Sequence, residues 1–177
     1  TGANNASVGW KALAANTTGT ENSAVGTSSL LDNTTGTRNS AMGYLALGNN
    51  TTGNDNVAFG RTSLYTNTTG AGNVALGKDA MDANTTGSNN VAIGIDALNT
   101  NTTASNNVAI GANAMDANTT GTRNVAVGME ALKTVTTNGY NVAVGTMALG
   151  LTTSAGNTAM GDYAANANTS GALITAI

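Results

Sequence analysis

The sequence predicts an all-β fold, a parallel β-solenoid (β-roll) of about ten coils with 17 residues in each. Three observations predict it. The glycine closing each N-x-A-x-G segment recurs at Gly9, Gly26, Gly43, Gly60, Gly77, Gly94, Gly111, Gly128 and Gly145, always 17 residues apart, then at Gly161 after 16. The asparagine four places earlier keeps step from Asn5 to Asn157. Large apolar residues occupy fixed columns of this repeat and not helical positions. A period held over the whole chain means that each unit packs chiefly on its neighbours.

The strand of each coil follows the asparagine. Two columns there are large and apolar or small and polar: Ser23, Ser40, Val57, Val74, Val91 one place on, and Val25, Met42, Phe59, Leu76, Ile93 three places on. These positions share one strand face, because side chains alternate, and are expected to fill the inside of the coil. The glycine then permits a turn or a close backbone approach. Four residues later stands a second apolar column, Leu30, Leu47, Leu64, Met81, Leu98, Met115 and Leu132, read as a second short strand. N-T-T-G closes the coil as a turn, since Asn and Gly favour left-handed conformations. The short unit between Gly145 and Gly161 is expected to lose its residue between Leu149 and Thr152. Rungs spaced about 4.8 Å apart would give a rod of about 48 Å. No helix of ten residues fits between the recurring Gly and Asn, and in-phase apolar columns are what disordered chains lack.

Composition narrows the function. Charged residues are 8% of the chain and the net charge is −3, so no basic field exists for nucleic acid. His and Cys are absent, which removes imidazole bases, thiolate nucleophiles, the usual zinc ligands and disulfides. No cofactor or metal is expected. No apolar run is long enough to insert in a membrane as a helix. Residues 1–177 read as a single repeat domain, and both ends fall inside a repeat, so a segment of a longer fibrous protein is expected.

A coil this thin buries few side chains, and small cross-sections are hard to stabilise. The column two places after the asparagine is alanine in nearly every unit and would lie on the outer strand face. Solvent would select polar residues there, so Ala58, Ala75, Ala92, Ala109 and Ala126 are expected at an oligomer interface.

At N-V-A-I-G-x-x-A-L (Asn90–Leu98, and Asn107–Met115 with Met last) the chain resembles the YadA-like head repeats of trimeric autotransporter adhesins, and also repeat segments of phage tail-fibre proteins. The resemblance runs the full chain at motif level. It implies a left-handed β-roll, a homotrimer, display outside the cell and attachment to a host-cell or matrix receptor or a surface glycan. The N-T-T-G turn is an insertion relative to the usual adhesin repeat.

Other motifs carry possible chemistry. Thr17/Thr18 and their repeats make two Thr columns, and a flat Thr array would suit an ice or mineral surface. Asn-Thr-Thr triplets match the N-glycosylation acceptor pattern. The asparagines before the strands are expected to stack as an amide ladder. Asp82 and Asp116 share a column two rungs apart, about 9–10 Å, a spacing open to inverting glycoside chemistry. A polysaccharide-active fibre is the third alternative, set back by the scatter of the other carboxylates. No catalytic residue is assigned, and a non-enzymatic fibre is the first reading. Receptor contact is expected at exposed positions that vary between rungs: Trp10, Tyr44, Arg61, Lys78 and Tyr140.

Overall fold

The computed structural model describes residues 2–177. It is an all-β solenoid of about 10 turns, with a single parallel sheet of 11 strands running along one side. The strands occur once per coil, from β1 (Ala6–Val8) through β6 (Val91–Ile93) and β7 (Val108–Ile110) to β11 (Thr175–Ala176), and pair strictly in sequence order. Register follows the repeat: Val91 faces Val108, Ala92 faces Ala109 and Ile93 faces Ile110.

The strand faces are opposite to the sequence expectation. Ala58, Ala75, Ala92, Ala109 and Ala126 are fully buried inside the single chain. They form the core of the coil and are not available as an oligomer interface. The Val/Ile/Met/Phe column next to them points outward, with Met42 50% and Phe59 42% exposed. The reason is width. The coil interior already holds the Leu98 column, a second alanine column (Ala80, Ala97, Ala114) and two columns of asparagine, all buried. What remains opposite admits a methyl group. A uniform column of small residues marks a steric limit, whereas the size variation of its neighbour marks free space.

The second apolar column is buried as expected: Leu30, Leu47, Leu64, Met81, Leu98, Met115, Leu132 and Leu149 all have 0% exposure. It is not a strand. These residues adopt left-handed backbone, φ between 48° and 53°, within a wide turn. Such a conformation costs an L-residue about 1–2 kcal/mol, and burying a Leu or Met side chain returns about 1.5–3 kcal/mol. Stacking persists through the turn, as Leu98 N–H donates to Ala114 O at 2.9 Å. The short unit also differs from expectation. Thr152 N–H donates to Leu149 O at 3.1 Å, matching Asn33 N–H to Leu30 O at 3.3 Å, so the missing residue lies after Thr152, in the turn before Asn157.

Two amide ladders run up the interior. In the first, Asn107 N–H donates to Asn90 Oδ1 at 3.0 Å, and Asn90 N–H to Asn73 Oδ1 at 3.0 Å. In the second, Asn101 Nδ2 donates to Asn84 Oδ1 at 2.7 Å and Asn84 Nδ2 to Asn67 Oδ1 at 2.8 Å. Each ladder also feeds a carbonyl of the N-T-T-G turn, so Gly87 O accepts from both Asn73 and Asn84. Buried amides therefore find partners in the adjacent coil, as burial requires.

Candidate interaction surface

With alanine inside, the outer face of the sheet presents two stripes. Val57, Val74, Val91 and Val108 are half-buried in one; Met42, Phe59, Leu76, Ile93 and Ile110 are half-buried to exposed in the other. The next column, just past the glycine, adds Trp10 at 65%, Tyr44 at 52%, Ile95 at 54% and Met129 at 51% exposure. An apolar ribbon thus follows the rod axis with no element of this chain laid over it. Sequence reasoning placed the two strand stripes in the core and so missed the ribbon. The rung-to-rung size variation was the signal that would have found it.

The five receptor-contact candidates are all exposed, and the fold does not gather them into one site. Trp10, Tyr44, Arg61 and Lys78 lie in the post-glycine column, at the border of the ribbon. Lys11 stacks over the Trp10 ring at 4.4 Å. Arg61 and Lys78 both reach Asp79, at 3.0 and 2.9 Å. Burial pushes the Asp79 carboxyl up, and its bonds to Thr62 and Lys78 with the Arg61 charge outweigh that and hold it below the usual carboxylate range. Tyr140 lies in a different column, just before its asparagine, with the Arg123 guanidinium over its ring at 5.4 Å. Arg38 and Asp55 pair in that same column, on the exposed surface, at 2.6 Å.

Asp82 and Asp116 are half-buried in the turn wall, and burial raises both carboxyls first, with neighbouring carboxylates adding to it. No cavity opens among the described residues, beside this pair or elsewhere. Among the described residues no three acidic groups converge to hold a metal. The glycosylation-type asparagines face inward: Asn33, Asn50, Asn67, Asn84, Asn101 and Asn118 are fully buried, with Nδ2 donating to a turn carbonyl or ladder oxygen. A glycan has no access to those nitrogens.

The two Thr columns separate. The first Thr of each pair donates Oγ1–H to the next coil, as Thr68 does to Thr85 O at 3.0 Å and Thr85 to Thr102 O at 2.9 Å. The second, Thr69 or Thr86, is exposed and its hydroxyl joins no bond within the chain. The chain matches no family model, no curated protein and no solved structure.

Proposed function

We propose that this chain is a non-enzymatic segment of an extracellular fibre, an adhesin head or tail-fibre shaft, that associates with its own copies and presents an attachment surface. The observation that carries this reading is the apolar ribbon on the outer sheet face. Isolated exposed apolar residues are ordinary, but a contiguous ribbon along a whole rod marks an interaction surface. A second copy fits it best, because an identical ribbon has the same rung period, and in-register packing sets apolar side chains together at every coil. Closed symmetry is the usual outcome for identical chains, and the motif's resemblance to YadA-like heads favours three. Trp10, Tyr44, Arg61, Lys78 and Tyr140, at or beyond the ribbon's border, are the receptor-contact candidates. Repetition around an axis makes attachment multivalent and weak per site.

The test is the double substitution Ile93→Arg with Ile110→Arg. Both side chains point out of the coil, so the circular dichroism of the variant should match the parent. Light scattering should show the mass fall from three chains to one, since unpaired charges buried at an interface are costly. A parent chain that is already a stable monomer at micromolar concentration overturns the self-association reading.

One observation favours a second reading, binding of an ice or mineral surface. The outer Thr column (Thr35, Thr52, Thr69, Thr86, Thr103) repeats without a hydrogen bond to explain it. Thermal hysteresis abolished by Thr69→Tyr with Thr86→Tyr, and unchanged by substitution of Trp10 and Tyr44, would support that reading against attachment.

A further inference from the structure

From Thr17 to Thr136 the turn side of the stack is regular, and its first break is a seam at the next interface. At seven successive interfaces, from Thr17 on Thr34 to Thr119 on Thr136, at least two backbone amides of the T-T-G turn donate to the first Thr carbonyl of the next coil. At the following interface none does: the Thr136 and Thr137 amides have no backbone acceptor, and Thr153 O instead receives the Asn138 side-chain amide. The second asparagine ladder stops at the coil that forms one side of this seam. Val135 stands where the ladder needs asparagine, and Asn118 Oδ1 is left buried with no donor. Beyond it Thr152 occupies the ladder position, and the coil is one residue short. Thr136 is exposed, whereas its counterparts Thr34 to Thr119 are half-buried.

We infer that this seam, Val135–Asn138 against Thr152–Ser154, is a hinge built into the rod, where the turn side of the stack opens before any other internal interface does. Two losses fall on the seam itself, and a third falls on the preceding coil, where Asn118 Oδ1 faces Val135 without a donor. An unpaired buried oxygen carries the desolvation cost of a missing bond. Two amides that elsewhere tie neighbouring coils are free to face water. The shortened turn prevents the carbonyls above from lining up beneath them. The sheet side stays closed, because Val142 N–H still donates to Asn157 O at 2.8 Å and Gly161 N–H to Val144 O at 2.7 Å. Opening on one side with the strands still paired is a bend. In a one-dimensional stack such a defect acts on its own interface and leaves the others intact. A long fibre segment thereby gains a flexion point at a defined rung, and the coils on either side keep their surfaces.

Native-state hydrogen exchange tests this on the full chain. The bonded amides that still cross the seam, Leu132 and Thr134, should exchange at least tenfold faster than Leu98 and Thr100, their counterparts in the regular stack. The change should be a step at the seam, not a gradual rise toward residue 177. Val135→Asn should slow the flanking amides about tenfold. Its new Nδ2 can donate to Asn118 Oδ1 and to Asn138 O, and its Oδ1 can accept from Thr152 Oγ1. The reverse variant, Asn101→Val, should create a second fast step at Thr85, Thr86 and Leu98 by removing both the donor to Asn84 Oδ1 and the acceptor for Asn118 Nδ2. Uniform protection across the seam, or a smooth gradient that Val135→Asn leaves unchanged, overturns the hinge. So does an Asn101→Val variant that unfolds entirely with no local step.

Discussion

Asn90 represents the first asparagine ladder, where removal of one side chain should be costly. Its side chain donates to Ala104 O at 2.8 Å and Asn73 Oδ1 at 3.2 Å, and its Oδ1 accepts from Asn107 N–H at 3.0 Å and Asn107 Nδ2 at 3.3 Å. Replace it with leucine, close in size, and the partners fare differently. Ala104 O keeps Asn101 Nδ2 at 3.2 Å, and Asn107 Nδ2 keeps Gly121 O at 2.9 Å. The Asn107 backbone N–H keeps nothing. One orphaned buried donor costs about 1–3 kcal/mol, and two lost donor bonds about 0.5–1.5 kcal/mol each. Asn90→Leu should therefore destabilise by about 2–6 kcal/mol, a large share of a typical domain's 5–15 kcal/mol. Thr86→Ala, at an exposed hydroxyl with no partner, should stay within about 0.5 kcal/mol. Asn90→Asp adds a sign test. Its second oxygen would face Ala104 O and, when ionised, repel it; protonated, it donates. The folded carboxyl is thereby raised above its unfolded value of about 3.9. The variant's stability is then fully present below that value and lost as pH rises through the folded one. Urea denaturation followed by circular dichroism measures all three variants. An Asn90→Leu loss below about 1 kcal/mol, or an Asn90→Asp variant indifferent to pH between about 4 and 7, would refute the ladder's energetic role.

Other outcomes follow from the same geometry. Gly94 has φ +136°, and a Cβ there would meet Gly111 O at 2.5 Å; Gly94→Ala should cost about 2–6 kcal/mol in denaturant midpoint analysis. Glu21 is exposed at φ +60°, in the column where Gly72 and Gly156 stand with φ 67° and 73°. Glu21→Gly should raise stability by about 0.5–1 kcal/mol, and Asn106→Gly by less, since asparagine tolerates this backbone. Asp82 and Asp116 have raised carboxyls in the fold, so their contribution is present below pH 3.8 and lost as pH rises through the folded values. Asp82→Asn with Asp116→Asn should remove that loss and raise the melting temperature at neutral pH, with little change in acid.

The period carried most of the architecture. Gly and Asn at a constant step named the rung length, the parallel in-register sheet and the buried leucine column, because stacking forces every coil to repeat its neighbour's contacts. Orientation was not carried by strand alternation alone. Ala92 and Ile93 alternate in either arrangement, and hydrophobicity favours isoleucine inside. The interior width decides, and that depends on the Leu98 column and two asparagine ladders crossing the same space. The second ladder, from Asn16 to Asn118, was read as turn chemistry because N-T-T-G is also a turn signal. Left-handed leucines were not legible, since local preference opposes them and tertiary burial overrides it. The five receptor candidates vary between rungs and are exposed, while the interface alanines were misplaced by the same inversion that hid the ribbon.

The orientation of the strand faces is the central claim, and thiol accessibility tests it most directly. The chain has no cysteine, so Ala109→Cys and Ile110→Cys each provide a single probe at adjacent positions of β7. Modification rates are measured on folded protein, across a dilution series down to single chains. Cys at 109 should remain protected at every concentration and react only on unfolding, while Cys at 110 should react readily in dilute solution and become protected as copies associate. A thiol at 109 that reacts at the rate of the unfolded chain, beside a protected thiol at 110, would contradict the structure described here.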